Sequence, residues 1–209
     1  MAVALDPFYP IVPDLAWLER IVPLGVRLVQ LRIKDKPLDE VRRQIEAALA
    51  LCAKHRCQLV VNDYWRLAID AGVNFIHLGQ EDLAAADLDA IRATGLKLGV
   101  SSHDHTELAT ALAAKPAYVA LGPIYPTKLK VMPWQPQGLT RVSQWKSLTS
   151  CPLVAIGGIT LDRADGVMDA GADSVAVITD FITHPDPEHR VGQWLLWAAA
   201  WRPGGVRAH

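Results

Sequence analysis

The feature that most constrains the fold is an alternation. Short β-rich apolar runs are separated by segments of helical period along nearly the whole chain. FYPIV (8–12), VRLVQLRI (26–33), QLVVN (58–62), NFIHLG (74–79), LKLGVS (96–101), AYVALGP (117–123), PLVAIGG (152–158) and DSVAVIT (173–179) read as strands. Such near-continuous apolar runs are those of parallel strands covered by helices. Counted from residue 8, the β-α unit repeats eight times within 209 residues, close to the lower size limit of a (β/α)8 TIM barrel, about 200 residues. The expected fold is therefore a single-domain (β/α)8 barrel over residues 1–202, followed by a disordered tail at 203–209. A doubly wound open sheet has the same periodicity and is the alternative.

The helical segments carry end signals. Asp14 is placed as an N-cap. LDEVRRQIEAALALCAKH has acids early and bases late, matching the helix dipole. Gly72, Gly95 and Gly171 stand where helices must stop. Trp194, Trp197 and Trp201 recur at helical spacing, which predicts that the last helix packs on the barrel.

A formal charge of −1 gives no general attraction to nucleic acid or an anionic membrane, so an anionic ligand must be held by a local cluster. The start MAVALDPFYP has no basic flank, and LLWAAAW is far shorter than the ~20 residues of a spanning helix. Cys52, Cys57 and Cys151 form no C-x-x-C pair, as expected of reduced thiols in a cytoplasmic protein. Cys52, His55 and Cys57 are read as packing residues rather than a metal cluster. A homo-oligomer is compatible with all of this.

In both folds the ligand end is the carboxyl end of the strands. Gln30, Arg32 and Lys34 stand two apart at the end of the second run, so they share a face. Arg and Lys match phosphate oxygens, and Gln can donate and accept toward a heterocycle. Asp63 and Asp82 follow the third and fourth runs, a donor set suited to Mg²⁺ with substrate phosphates. The competing reading makes each a helix or turn cap. Ser101 ends the fifth run, and His103 and His105 follow it without a third ligand. Gly157 and Gly158 end the seventh run and Ile178 and Thr179 the eighth, where a barrel commonly holds a phosphate through backbone N–H groups. One cationic, carboxylate-bearing site and one phosphate cradle predict two phosphorylated substrates meeting.

VQLRIKDKP, VVNDYWRLAIDAGVNFIHLGQEDL, LGVSSH, LGPIYPTKLK, PQGL and VAIGGI with AGADSVAVIT together resemble the thiamine-phosphate synthase family, in the family's order and over most of the chain. The resemblance implies Mg²⁺-dependent transfer of hydroxymethylpyrimidine from its diphosphate to the nitrogen of thiazole phosphate, releasing diphosphate. It implies that Gln30, Arg32, Lys34, Asn62, Ser101 and Lys130 contact the pyrimidine diphosphate, with Lys34, Arg32, Ser101 and Lys130 serving catalysis. Asp63 and Asp82 would bind Mg²⁺, and Thr127, Gly158, Ile178 and Thr179 would hold the thiazole phosphate. Two positions depart from the family pattern: Leu129 replaces the second threonine of P-T-x-T-K, and Thr179 stands where serine is usual. A related thiazole tautomerase branch carries a histidine where this chain has Pro123, and a non-catalytic phosphometabolite-binding barrel is the reading from another class. GPIYPTKLKVMPWQPQG (122–138) is expected to be an active-site loop that closes over substrates.

Overall fold

The computed structural model describes residues 5–127 and 134–201. Lys128, Leu129 and Lys130 and the predicted tail at 203–209 lie outside the described residues. Eight parallel strands close a barrel in sequence order: β1 (Phe8–Val12), β2 (Leu28–Leu31), β3 (Gln58–Asn62), β4 (Phe75–Leu78), β5 (Lys97–Ser102), β6 (Tyr118–Leu121), β7 (Leu153–Ile156) and β8 (Ser174–Val177). β8 pairs with β1 through Phe8↔Val175 and Tyr9↔Ala176. That pairing removes both sheet edges, and with them the doubly wound alternative.

The helices are α1 (Leu15–Ile21), α2 (Leu38–Lys54), α3 (Trp65–Ala71), α4 (Gln80–Ala85), α5 (Leu88–Ala93), α6 (His105–Ala113), α7 (Gly138–Leu148), α8 (Leu161–Asp169), α9 (Thr179–Ile182) and α10 (Pro187–Ala200). Two apolar layers result. Outward residues such as Val29, Val61, Val100 and Val175 meet the helices, while Tyr9, Leu28, Val60, Phe75 and Tyr118 fill the barrel. Cys52 is buried in the outer layer.

The predicted end signals operate in the fold. Asp14 accepts a hydrogen bond from Trp17 N, and Gly72 ends α3 in the left-handed region at φ 77°. The last helix packs as expected. Trp194 is fully buried, stacks on Phe8 at 5.1 Å, and donates its indole N–H to Asp180 Oδ2 at 2.8 Å.

Three local expectations change. β2 ends at Leu31 rather than residue 33, although Arg32 N still donates to Val12 O at 2.8 Å and keeps the chain extended beside β1. The β4–β5 connection holds two helices, because Asp87 accepts from Asp89 N and Ala90 N and so starts a new helix where one could have continued. Neither carboxylate is a cap: α3 begins at Trp65 with no side-chain cap, and Asp82 lies inside the first turn of α4.

Candidate active site

The site begins as the next layer above the barrel core. Side chains alternate along a strand, so the residue two positions beyond an inward core residue faces the axis again. Gln30 thus follows Leu28, Asn62 follows Val60, His77 follows Phe75, and Ser101 follows Gly99. Gln30, Asn62 and His77 are 2%, 5% and 7% exposed, so they form a buried polar floor.

Burial of polar groups requires hydrogen bonds, and for Gln30 and His77 a continuous row supplies them. Gln30 Nε2 donates to the Tyr9 hydroxyl at 2.9 Å, and the Tyr9 and Tyr118 hydroxyls stand 3.0 Å apart. The Tyr118 hydroxyl meets His77 Nδ1 at 2.8 Å, and His77 Nε2 meets Ser101 Oγ at 2.9 Å. Burial pulls His77 down to about 4, which keeps the ring neutral at physiological pH. The Tyr118 and His77 rings lie nearly parallel, 5.6 Å apart.

The rim carries the charges. Lys34 pairs with Asp63, whose φ of 65° turns the chain immediately after β3. Asp63 N donates to His77 O at 2.9 Å, tying that turn to β4. The Asp82 carboxyl, contributed by α4, is held above the ordinary carboxylate range by burial and then by the neighbouring Asp63 carboxylate, against the pull of Lys34. Arg32 is half-buried at the end of β2, near enough for its charge to act on His77. Two carboxylates thus converge beside two cations. Among the described residues no group of three or more His, Cys, Asp or Glu side chains gathers. The donor set is that of an oxygen-preferring cation sharing its shell with phosphates and water.

Across the barrel mouth, Gly157 and Gly158 have φ of 99° and 65°, and the chain leaving β6 lies against them. Ile124 N donates to Ile156 O and Tyr125 N to Gly157 O, at 2.9 and 3.0 Å. A Cβ on Gly158 would sit 2.5 Å from Pro126 O, so only glycine allows this approach. Arg163 donates to Gly158 O at 2.8 Å and lies over the Tyr125 ring. Ile178 and Thr179 follow β8, with Thr179 opening α9.

The other end of the β6–α7 loop is fastened too. Gln137 N donates to Pro123 O at 2.7 Å, Gly138 N to Ile124 O at 3.0 Å, and Gln137 Nε2 to His103 O at 2.9 Å. Trp134 stacks on His103. The described residues at both ends of the segment between β6 and α7 are thus tied to the barrel. His103 pairs with Glu107 while His105 packs on Trp145, so the two histidines serve different contacts.

The fold brings Lys34, Asp63 and Asp82 together and joins Gln30 to Ser101 through a bonded row, with Asn62 paired beside His77 in the sheet register. Gly158, Ile178 and Thr179 occupy the β7–β8 side. Sequence reading missed Tyr9, His77, Tyr118 and Arg163. A signal existed for His77, which stands two residues beyond the inward Phe75. None existed for the tyrosines, which look like ordinary strand aromatics.

The chain is similar to known proteins over most of its length. A family model described as thiamine monophosphate synthase matches residues 8–181. The thiamine-phosphate synthase of Rhizobium etli is 61% identical over 202 residues, 96% of this chain and 99% of that protein. The Salmonella choleraesuis thiamine-phosphate synthase is 50% identical over 188 residues, covering 90% and 89% of the two chains. The solved thiamine phosphate pyrophosphorylase from Pyrococcus furiosus superposes with a TM-score of 0.80 at 23% identity, covering 93% of this chain and 96% of that one, which shows the shared fold. With a family model matched over residues 8–181 and relatives matched over nearly its whole length, the chain belongs to the thiamine monophosphate synthase family.

Proposed function

We propose that the chain joins hydroxymethylpyrimidine diphosphate to thiazole phosphate, giving thiamine phosphate and diphosphate. The observation that carries this reading is the convergence of Lys34, Asp63 and Asp82 above a buried, neutral polar floor, opposite a glycine-lined turn. Such a site suits one substrate with a flat polar ring and a polyanionic tail, and a second with a single phosphate.

On this reading Gln30, with its amide nitrogen turned to Tyr9, offers its carbonyl oxygen to the aminopyrimidine. Asn62 and Ser101 border the same floor. Arg32, Lys34 and Lys130 are the cations for the diphosphate. Asp63 and Asp82 would hold Mg²⁺, which when bound neutralises charge on the departing diphosphate oxygens. Lys34 is paired with Asp63 and so is held at the place where that charge develops.

The methylene carbon loses diphosphate by C–O cleavage with electron release from the aminopyrimidine, and the thiazole nitrogen then supplies the electron pair of the new C–N bond. No side-chain nucleophile is needed. Thr127, Gly158, Ile178 and Thr179 hold the thiazole phosphate, which fixes its nitrogen toward the pyrimidine. Holding both partners by their phosphates supplies the orientation part of the rate. The three free thiols fit a cytoplasmic setting.

The test is to mix the purified protein with both substrates and Mg²⁺ and assay thiamine phosphate. Product is expected, and it should disappear in Asp63→Ala with the circular dichroism spectrum retained. Binding of both substrates without product would reject the reading in favour of a non-catalytic barrel.

A further inference from the structure

The floor of the site contains more hydrogen-bonding order than substrate binding alone requires. Four side chains from β1, β2, β4 and β6 lead to a fifth, Ser101, on β5. Each phenol has a single proton, and a neutral imidazole has a single N–H. The direction of one bond in such a row therefore dictates the direction of the next.

The row starts at Gln30, whose amide nitrogen is a donor only. It gives a hydrogen to the Tyr9 hydroxyl at 2.9 Å, and the Tyr9 proton is then directed at the Tyr118 oxygen, 3.0 Å away. With the Tyr118 oxygen accepting on that side, its own proton is directed at His77 Nδ1, 2.8 Å away. A ring nitrogen that accepts carries no hydrogen, so the imidazole proton must sit on Nε2. Nε2 then donates to Ser101 Oγ at 2.9 Å. Ser101, having accepted, keeps its own O–H for another acceptor.

We propose that this row makes His77 a positioning residue: it holds the ring as the Nε2–H tautomer and turns Ser101 into an obligate hydrogen-bond donor toward an oxygen or ring nitrogen of the bound pyrimidine diphosphate. The inference rests on the proposed function for the identity of that acceptor. The tautomer itself is independent of it. Two further features hold the arrangement in place. The Tyr118 ring lies almost parallel to the imidazole, and the absence of a side chain at Gly99 gives Tyr118 its position. Gln80 Nε2 donates to the Ser101 carbonyl at 2.6 Å, which fixes the backbone that carries the hydroxyl.

The decisive experiment reads the tautomer without substrates. In the ¹⁵N-histidine-labelled full chain, NMR should show His77 Nε2 as a pyrrole-type and Nδ1 as a pyridine-type nitrogen. The reverse pattern, or two protonated nitrogens near neutral pH, overturns the proposal. A double-mutant cycle on thiamine phosphate formation tests the coupling. His77→Asn and Ser101→Ala should each lower kcat/KM for the pyrimidine diphosphate by about tenfold to a hundredfold, the range for one bond to a charged group. The double variant should be no worse than Ser101→Ala alone. His77→Gln, whose amide nitrogen can replace Nε2–H, should recover most of the His77→Asn loss. Additive losses, or equal losses in the Asn and Gln variants, would refute the donor role. An unchanged kcat/KM in Ser101→Ala would remove the substrate contact on which it depends. Absence of product from the unmodified chain would instead count against the proposed function, leaving the tautomer assignment to stand on its resonances.

Discussion

Tyr118 lies across Gly99: a Cβ at residue 99 would fall 2.2 Å from Tyr118 Cζ, far inside van der Waals contact. The glycine in β5 is therefore the space in which a β6 tyrosine rests, and the tyrosine in turn reaches Tyr9 and His77. Gly99→Ala should displace the ring and overpack the barrel interior, costing about 1–3 kcal/mol. Chemical denaturation will show this as a lower midpoint, and kcat should fall in parallel. An unchanged midpoint would mean the ring has room to move.

Asp63 and Asp82 place two carboxylates side by side, and burial together with the Asp63 charge disfavours ionisation of Asp82. Asp82→Asn should therefore leave thermal stability in the absence of Mg²⁺ unchanged or raised while strongly reducing turnover. Calorimetry and the thiamine phosphate assay on one preparation give both readings. Full activity in this variant would exclude Asp82 from the metal site.

Gly158 combines a left-handed φ of 65° with an approach of 2.5 Å between its missing Cβ and Pro126 O. Gly158→Ala should push the β6–α7 loop away from β7 and raise the KM for thiazole phosphate by about tenfold or more, on the basis of one lost bond to a charged group. The KM for the pyrimidine diphosphate should move much less, because the floor lies on other strands. Equal shifts in both constants would argue that the substitution acts on the whole fold.

Burial pushes the Tyr9 and Tyr118 phenols above their usual value of 10.0. In the unfolded chain both ionise near that value. The folded state therefore binds more protons above about pH 10, and the stability these two groups contribute is complete below that pH and lost as pH rises beyond it. Absorbance at 295 nm should show a phenolate amplitude in the native protein below that of the denatured chain, with the remainder appearing on alkaline unfolding. Full amplitude before unfolding would contradict their burial.

The alternation of side chains along a barrel strand made the placement of much of the candidate site legible in advance. Lys34, Asp63, Asp82, Ser101 and Gly158 each stand at or just beyond the end of an apolar run, and the fold brings them to the one end of the barrel where such positions meet. The cap readings of Asp63 and Asp82 failed because a cap is a local choice. Asp63 turns away from its own helix toward Lys34, a residue 29 positions earlier.

Eight apolar runs separated by helical segments determined, from sequence alone, how many strands there are, that they run parallel, and which end bears the chemistry. Periodicity reports only on a residue's near neighbours, so it left open whether the sheet closes. Closure came from the pairing of β1 with β8, residues about 167 positions apart by the register Phe8↔Val175. The bonded row from Gln30 through Tyr9, Tyr118 and His77 to Ser101 was likewise decided only in three dimensions. Its five members come from five strands, and nothing in the spacing of any one strand says which partner its inward side chain will meet across the barrel.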